Sequence, residues 1–336
     1  MKLSDIGEFG FIDRFTPDSI YRAKGLIQGI GDDAAVLEKD GRSFYLVTTD
    51  LLVEDVHFLR KKITPWQLGW KSLAVNLSDI AAMGGIAEEA FLSLGIPKDM
   101  EVGFWDEFYR GFKELAMKWN VNLSGGDTTG SRGPIVVSVT VLGEVPVDEV
   151  VYRRGAQPGD RVVVTGFLGD SAAGLDILLD DRSDNEISDS YLIKAHNEPK
   201  PHLAEGRWLA QTGAVTAMID ISDGLASDLG HILERSELGA TVDLAKIPLS
   251  NPFIKYVDMK KLDKWKLSLG GGEDYVLLCT IQAGEFDRIM EDWERHFGRP
   301  LYEVGAIETE KGLRYRHLDG KLGDSTAMGY DHFAGK

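Results

Sequence analysis

The 336-residue chain has a single cysteine, Cys279, so neither a disulfide framework nor a thiolate metal cluster can be assembled within it. Positive charge is scarce. Lys and Arg number 37 against 54 Asp and Glu, a formal net charge of −17. That balance gives no global electrostatic footprint for nucleic acid or for an anionic membrane surface, and neither is expected as a partner. No segment offers the roughly 18 consecutive apolar residues of a membrane span. The opening stretch, MKLSDIGEFGFIDRF, lacks the apolar core of a secretory signal. A cytoplasmic protein is the expectation. Three motifs are also missing: H-E-x-x-H, whose absence argues against zinc, the P-loop, and the protein-kinase set.

What is present is ordinary for a globular chain, 43% hydrophobic and 27% charged, enough for a sizeable core. The length suggests two domains. A strand-like run at 136–142 ends at Gly143, and Pro146, Gly155, Pro158 and Gly159 punctuate the chain before Val162–Val164. The boundary expected from this divides the chain into 1–147 and 148–336. Helical spacing is read over 65–83, 106–119, 171–179, 222–236 and 285–294. Short apolar runs read as strands at 44–47, 136–142, 217–219 and 266–269. This mixture predicts an α+β or α/β fold.

The carboxylates are of two kinds. The run 180–189, DDRSDNEISD, reads as a solvated loop. Others sit beside glycine and hydroxyl residues at the ends of apolar runs, where loops on a rigid scaffold carry function. Gly29-Ile30-Gly31-Asp32-Asp33-Ala34 formally fits a dinucleotide fingerprint, but no convincing strand precedes it and two adjacent acids would repel a bare pyrophosphate. The acids make sense with a cation between, although an acidic tight turn is the plain alternative. Thr48-Thr49-Asp50 supplies hard oxygen donors suited to Mg²⁺. Asp79 lies in an otherwise apolar helix, as a paired or metal-bound acid or on a narrow polar stripe. Gly125-Gly126-Asp127-Thr128-Thr129 allows close backbone approach next to an acid. In Asp220-Ile221-Ser222-Asp223-Gly224, alternation puts Asp220 and Ser222 on one face. Gly270-Gly271-Gly272-Glu273-Asp274 spends more backbone entropy than a bland loop needs. Hard-cation chemistry is favoured over zinc. Cys279, within the strand-like run VLLCTI, reads as a small buried hydrophobe.

Together GEFGFIDRF, GIGDDAAVL, VTTDLLVEDVHF, KSLAVNLSDIAAMG, GGDTT, VTVLGEVP, TGFLGDSAAGL, AMIDISDGLASDLGHI, GGEDY and GYDHF run in order from Gly7 to Phe333. In these motifs the chain resembles the thiamine-monophosphate kinase family, within the superfamily of aminoimidazole ribonucleotide synthetase. The resemblance implies ATP-dependent phosphorylation of thiamine monophosphate to thiamine diphosphate, with several Mg²⁺ ions. It also implies a homodimer whose N-terminal domains pair into a shared β-barrel, with a C-terminal α/β domain beside each. Carried over motif by motif, the metal ligands fall on Asp33, Thr48, Thr49, Asp50, Asp79, Asp127, Asp220 and Asp223. Nucleotide contacts fall on Tyr109, Gly126, Asp127, Arg153 and Ser222, and thiamine-side contacts on His57, Glu273 and Tyr330. Asp50 and Asp220 are the implied catalytic pair, acting through metal. The segment Gly130-Ser131-Arg132 departs from the family pattern, and Arg132 receives no role. Two other readings stay open at this point: a sibling ATP-dependent synthetase with another small substrate, and a non-catalytic protein that binds nucleotide or divalent cations.

Overall fold

The structure, a computed structural model, describes residues 6–17, 19–180 and 191–324. Tyr330 and nearly all of the acidic run 180–189 lie outside them. After helix α1 (Gly7–Phe15), six strands form the first sheet: β1 (Leu26–Gln28), β2 (Ala35–Glu38), β3 (Ser43–Val53), β4 (Ile86–Pro97), β5 (Asn122–Ser131) and β6 (Val136–Pro146), in the order β1-β2-β3-β6-β4-β5. Only the β4–β5 pair is parallel. The sheet is open, with β1 and β5 at its edges, and no closed sheet occurs among the described residues.

Two long helices cover this sheet, α2 (Pro65–Ala82) and α3 (Val102–Trp119). Thr64 and Gln67 form a reciprocal capping box at the start of α2, and Pro65 occupies the first turn. The helix is apolar nearly all round, and most of it from Leu68 to Ala82 is buried. It lies close to α3 because both contribute glycine at the crossing. A Cβ on Gly69 would fall 1.9 Å from the Phe108 carbonyl oxygen, and one on Gly111 would fall 1.9 Å from that of Trp66.

The second sheet has the order β13-β12-β9-β11-β7-β10-β8. Its strands are β7 (Arg161–Val164), β8 (Val215–Asp220), β9 (Gly239–Asp243), β10 (Leu277–Ile281), β11 (Tyr302–Glu308), β12 (Gly312–Arg316) and β13 (Leu322–Asp324). All pairs except β9–β12 are antiparallel. Its helices are α4 (Asp170–Leu179), α5 (Tyr191–Asn197), α6 (Leu203–Gln211), α7 (Leu225–Ser236), α8 (Asn251–Lys260), α9 (Lys264–Gly270) and α10 (Phe286–Phe297). The central core is continuous across the two sheets. Leu73 and Leu77 of α2 belong to the same buried cluster as Met218, Leu277 and Cys279. Burial pushes the Cys279 thiol up and keeps it neutral, as a small hydrophobe should be.

Two expectations change. Lys266–Leu269 is helix, not strand: the Asp263 carboxylate accepts the N–H groups of Trp265 and Lys266 at 2.9 and 3.2 Å and starts α9. Residues 125–129 are not a loop but the middle of β5. Gly126 (φ +148°) is required there by strand pairing, since a Cβ would meet the Leu92 carbonyl oxygen at 1.7 Å.

Candidate active site

The acidic motifs from distant parts of the chain converge where the two sheets meet. Asp33, Asp79 and Asp220 each offer a carboxylate oxygen, and these lie within 4.8 Å of one another. Asp33 comes from the turn between β1 and β2, so the glycine-rich segment there leads from strand to strand. A dinucleotide fingerprint would lead into a helix. Asp79 comes from the last turns of α2, and Asp220 ends β8, paired with Leu277 of β10.

Each acid is held by specific partners. Ser78 donates its hydroxyl to Asp220 Oδ2 at 2.5 Å, and Thr48 donates to Asp79. Arg153 donates to Asp33 Oδ1 at 2.7 Å, while its backbone N–H donates to Asp32 Oδ1 at 3.1 Å. The second oxygen of Asp33 is buried with no hydrogen-bond partner. Asp50 stands inside β3 rather than at its end. Its N–H donates to Asn76 Oδ1 of α2 at 3.1 Å, which ties the strand to the helix beneath it.

The electrostatics are those of a site short of positive charge. Burial, then the field of Asp33, raises Asp50 to about 6 and Asp220 to about 8. Burial and then Asp50 and Asp220 push Asp79 well above the usual carboxylate range. Burial, with Asp33 beside it, lifts Asp32 to about 6. Clustered carboxylates of this kind resist ionising together unless a cation joins them. Hard oxygen donors, an orphaned buried oxygen on Asp33 and the lack of thiol or paired imidazole in this group fit Mg²⁺.

A second group spans the loop that follows β8 and the first turns of α7. Asp223, Asp228 and His231 bring one ligand atom each within 4.8 Å of one another. Asp228 accepts the N–H groups of Asp223 and Gly224 at 3.2 and 3.0 Å, and so anchors the start of α7. Asp223 therefore stands with these two rather than with Asp33, Asp79 and Asp220. Sequence reading gave no ligand role to Asp228 or His231, although their spacing of three on one helix is visible in SDGLASDLGHI.

The Gly270–Asp274 segment is strapped against the Asp220–Gly224 segment. Glu273 N–H donates to Ser222 O at 2.7 Å, Tyr275 N–H to Ile221 O at 2.9 Å, and Ile221 N–H to Val276 O at 2.8 Å. This explains the glycines: a Cβ on Gly272 would meet Ser222 O at 2.3 Å, and one on Gly271 would meet Leu267 O at 2.2 Å. Glu273 itself holds φ at +66°, a conformation costly for a non-glycine residue. Burial pushes its carboxyl up, but Lys71 and His196 outweigh that and hold it below the usual range. Ser222 thus meets the Glu273 loop through its backbone. His57, half-buried, accepts the Val53 N–H on Nδ1 at 3.0 Å, which leaves the proton of a neutral ring on Nε2.

Four residues singled out in the sequence are not brought to the acidic group. Thr49 points to the opposite face of β3 from Thr48, as strand alternation requires. Its hydroxyl donates to Val139 O at 3.2 Å and accepts from Thr140 at 3.0 Å. Asp127 and Gly126 are exposed on the edge strand β5. Tyr109 lies half-buried on α3, in a shallow depression lined by Trp105, Arg110, Lys113 and Met117. Conversely, the sequence gives no role to Lys71, Asn76 or Ser78, although Asn76 and Ser78 stand in the same Asn76-Leu77-Ser78-Asp79 segment as Asp79. Each is a polar residue fully buried in an apolar helix, and that mismatch was the available signal.

The chain also matches known proteins over nearly its whole length. The model of the AIR synthase related protein N-terminal domain matches residues 31–145, and that of the C-terminal domain matches residues 157–317. Thiamine-monophosphate kinase of Escherichia coli strain K12 is 38% identical over 335 residues, covering 98% of each chain. The Bacillus subtilis strain 168 enzyme of the same name is 35% identical, covering 97% of this chain and 99% of its own. Among solved structures, AaThiL complexed with AMPPCP and TMP superposes with a TM-score of 0.85 at 35% identity, covering 99% of both chains.

Proposed function

This chain belongs to the thiamine-monophosphate kinase family, one of the AIR synthase related proteins, and from that premise we propose that it transfers the γ-phosphoryl group of ATP to thiamine monophosphate, giving thiamine diphosphate and ADP. The observation that carries this reading is the meeting of Asp33, Asp79 and Asp220 at the junction of the two sheets, in a chain that aligns end to end with such kinases.

The nucleophile is a phosphate oxygen of thiamine monophosphate. A phosphate monoester has its second pKa near 6 and is mostly dianionic at neutral pH, so it needs no general base. Two anions must approach, and phosphoryl transfer is chiefly positioning and electrostatics. Asp33, Thr48, Asp50, Asp79, Asp220 and Asp223 would hold several Mg²⁺ ions, which would neutralise charge between the reactants, whereas Asp127, carried over as a further ligand, is exposed on β5 away from them. Thr49 was also carried over as a ligand, but its hydroxyl faces away from the group. Ser78, Thr48 and Asn76 fix the orientation of Asp220, Asp79 and the Asp50 backbone before substrate arrives. Arg153 compensates Asp33 and stands ready for a nucleotide phosphate; Ser222, Gly126 and Tyr109 are the further nucleotide contacts that the family pattern implies. His57 and Glu273 face the thiamine side, with Tyr330 the carried-over ring contact. The γ-phosphorus passes directly and in line from ADP to the acceptor oxygen, with no phosphoenzyme. ADP released in a burst without thiamine monophosphate, with phosphate left on the protein, would contradict direct transfer.

We further propose that 1–147 is the ATP- and Mg²⁺-binding and dimerising domain and 148–336 the second domain, and that the enzyme works in the cytoplasm. The open first sheet supports pairing of two copies into a shared barrel. Its face away from α2 carries the row Thr49, Thr140 and Phe91 across three strands, with Leu51 beside it 53% exposed and Phe91 39% exposed. Strand β5 leaves an edge unpaired, which isolated proteins seldom tolerate over ten residues.

A further inference from the structure

Lys71 is the only lysine buried among the described residues, and its side chain is wholly inaccessible. It lies on α2, eight residues before Asp79 and so on the same stripe of the helix. Its ammonium donates to Glu273 Oε2 at 3.0 Å and to the His57 carbonyl oxygen at 3.3 Å. From the other side, His196 of α5 places Nδ1 3.1 Å from the same Oε2 and 3.0 Å from Ser171 Oγ of α4. One oxygen of Glu273 is thus gripped by a cation from the first sheet's helix and an imidazole from the second sheet's helices. Its backbone is pinned by the bond to Ser222 O and held at positive φ. The side chain nevertheless keeps 22% of its surface exposed, so Oε1 is the atom left to meet a ligand.

A clasp between two halves of a protein does not call for a buried lysine. Apolar residues of the same volume do that work as well or better, because burying two charges costs desolvation. The pair earns a different explanation because the same ammonium reaches both segments that carry thiamine-side residues. We propose that Lys71 is a positioning residue for the thiamine side of the site, fixing the Glu273 carboxylate and the His57 segment so that Glu273 Oε1 accepts a hydrogen bond from an amino-substituted heteroaromatic ring of the acceptor substrate. This rests on the kinase reading above. Lys71 touches neither reacting phosphate, and its effect reaches the substrate through Glu273 and the 53–57 turn.

The test is steady-state kinetics with K71M, E273Q and the K71M/E273Q double variant, varying thiamine monophosphate and ATP separately, with thermal unfolding of each protein. K71M should raise KM for thiamine monophosphate by about tenfold or more, the range seen when outer partners of a ligating group are removed, with KM for ATP within about twofold. The double variant should be no worse than the worse single variant, since both act through one carboxylate. Equal rises in both KM values, a loss confined to kcat, or multiplicative effects in the double would overturn the proposal and leave a structural clasp. K71M strands a buried carboxylate and could fail to fold, but the double variant carries neither charge. In that case E273Q and the double must share one KM for thiamine monophosphate, and a difference beyond about threefold overturns the proposal. Wild-type protein that consumes no ATP with thiamine monophosphate would sink the kinase reading and this one together. Active wild type with an unaffected K71M would sink this one alone.

Discussion

Asp220 is almost fully buried, bonded to Ser78 and close to two other carboxylates, a position that makes sense for charge to be met by a cation rather than by solvent. Replacing it with asparagine keeps the shape and removes the charge. Asp220→Asn and Asp50→Asn should each cut kcat by about a hundredfold or more, comparable to losing one electrostatic stabiliser of a transition state. Circular dichroism and melting temperature should stay near wild type, and retained activity at ordinary Mg²⁺ would remove these residues from the site. The raised acids also predict a pH dependence for metal-free protein. Unfolded, Asp220 titrates near the ordinary aspartate value of about 3.9, and burial with the field of Asp33 raises it to about 8 in the fold. Across that window the folded state holds the extra proton, so stability is highest below about 4 and falls as pH rises towards 8. Thermal melts in EDTA should therefore drop in midpoint from pH 5 to pH 8, and Mg²⁺ at pH 8 should restore part of the loss. A flat profile in EDTA would contradict the charge clustering. At this scale the motif acids were readable from sequence because glycine and hydroxyl residues flank them. Lys71, Asn76 and Ser78 were not, because periodicity treats a polar residue in an apolar helix as a stripe on the surface, and only the fold reveals what faces it.

Helices were legible where a cap and a period agree. The capping box at Thr64 and the left-handed Asn120 that ends α3 fall at or next to the boundaries expected from sequence. Strands were less so. β5 reads as a loop because Gly125, Gly126 and Asp127 are poor strand formers, and the pairing with β4 that overrides them is a long-range contact. α9 reads as a strand because Leu267 and Leu269 alternate, while the decisive signal is the Asp263 cap two to three residues ahead. The crossing of α2 and α3 gives a test at this level. Gly111→Ala places a methyl 1.9 Å from a backbone oxygen and should lower stability by about 1–3 kcal/mol, or more if the helices cannot part. Urea unfolding would measure it, and a stable G111A would mean the helices pass further apart than described. Because Asp79 rides on α2, the variant should weaken Mg²⁺-dependent activity as well.

The net charge of −17 first reads as a soluble, acidic surface that repels anions. In the folded molecule Asp33, Asp79 and Asp220 gather in one group, where bound Mg²⁺ would offset their charge, so the argument from net charge against nucleic acid does not extend to small phosphorylated substrates. The proposed assembly comes from resemblance, and a single chain presents only the open sheet that such pairing would close. Analytical ultracentrifugation should find a dimer, and F91D combined with L51D on the exposed face should yield monomer with the fold retained. A wild-type monomer at micromolar concentration would contradict the pairing. The most direct measurement is ATP consumption with and without thiamine monophosphate in the presence of Mg²⁺, with the product identified by mass. Thiamine diphosphate and ADP should form in equal amounts, and only when both substrates are present. ATP turnover indifferent to thiamine monophosphate, or no turnover by folded protein loaded with Mg²⁺, would contradict the assignment.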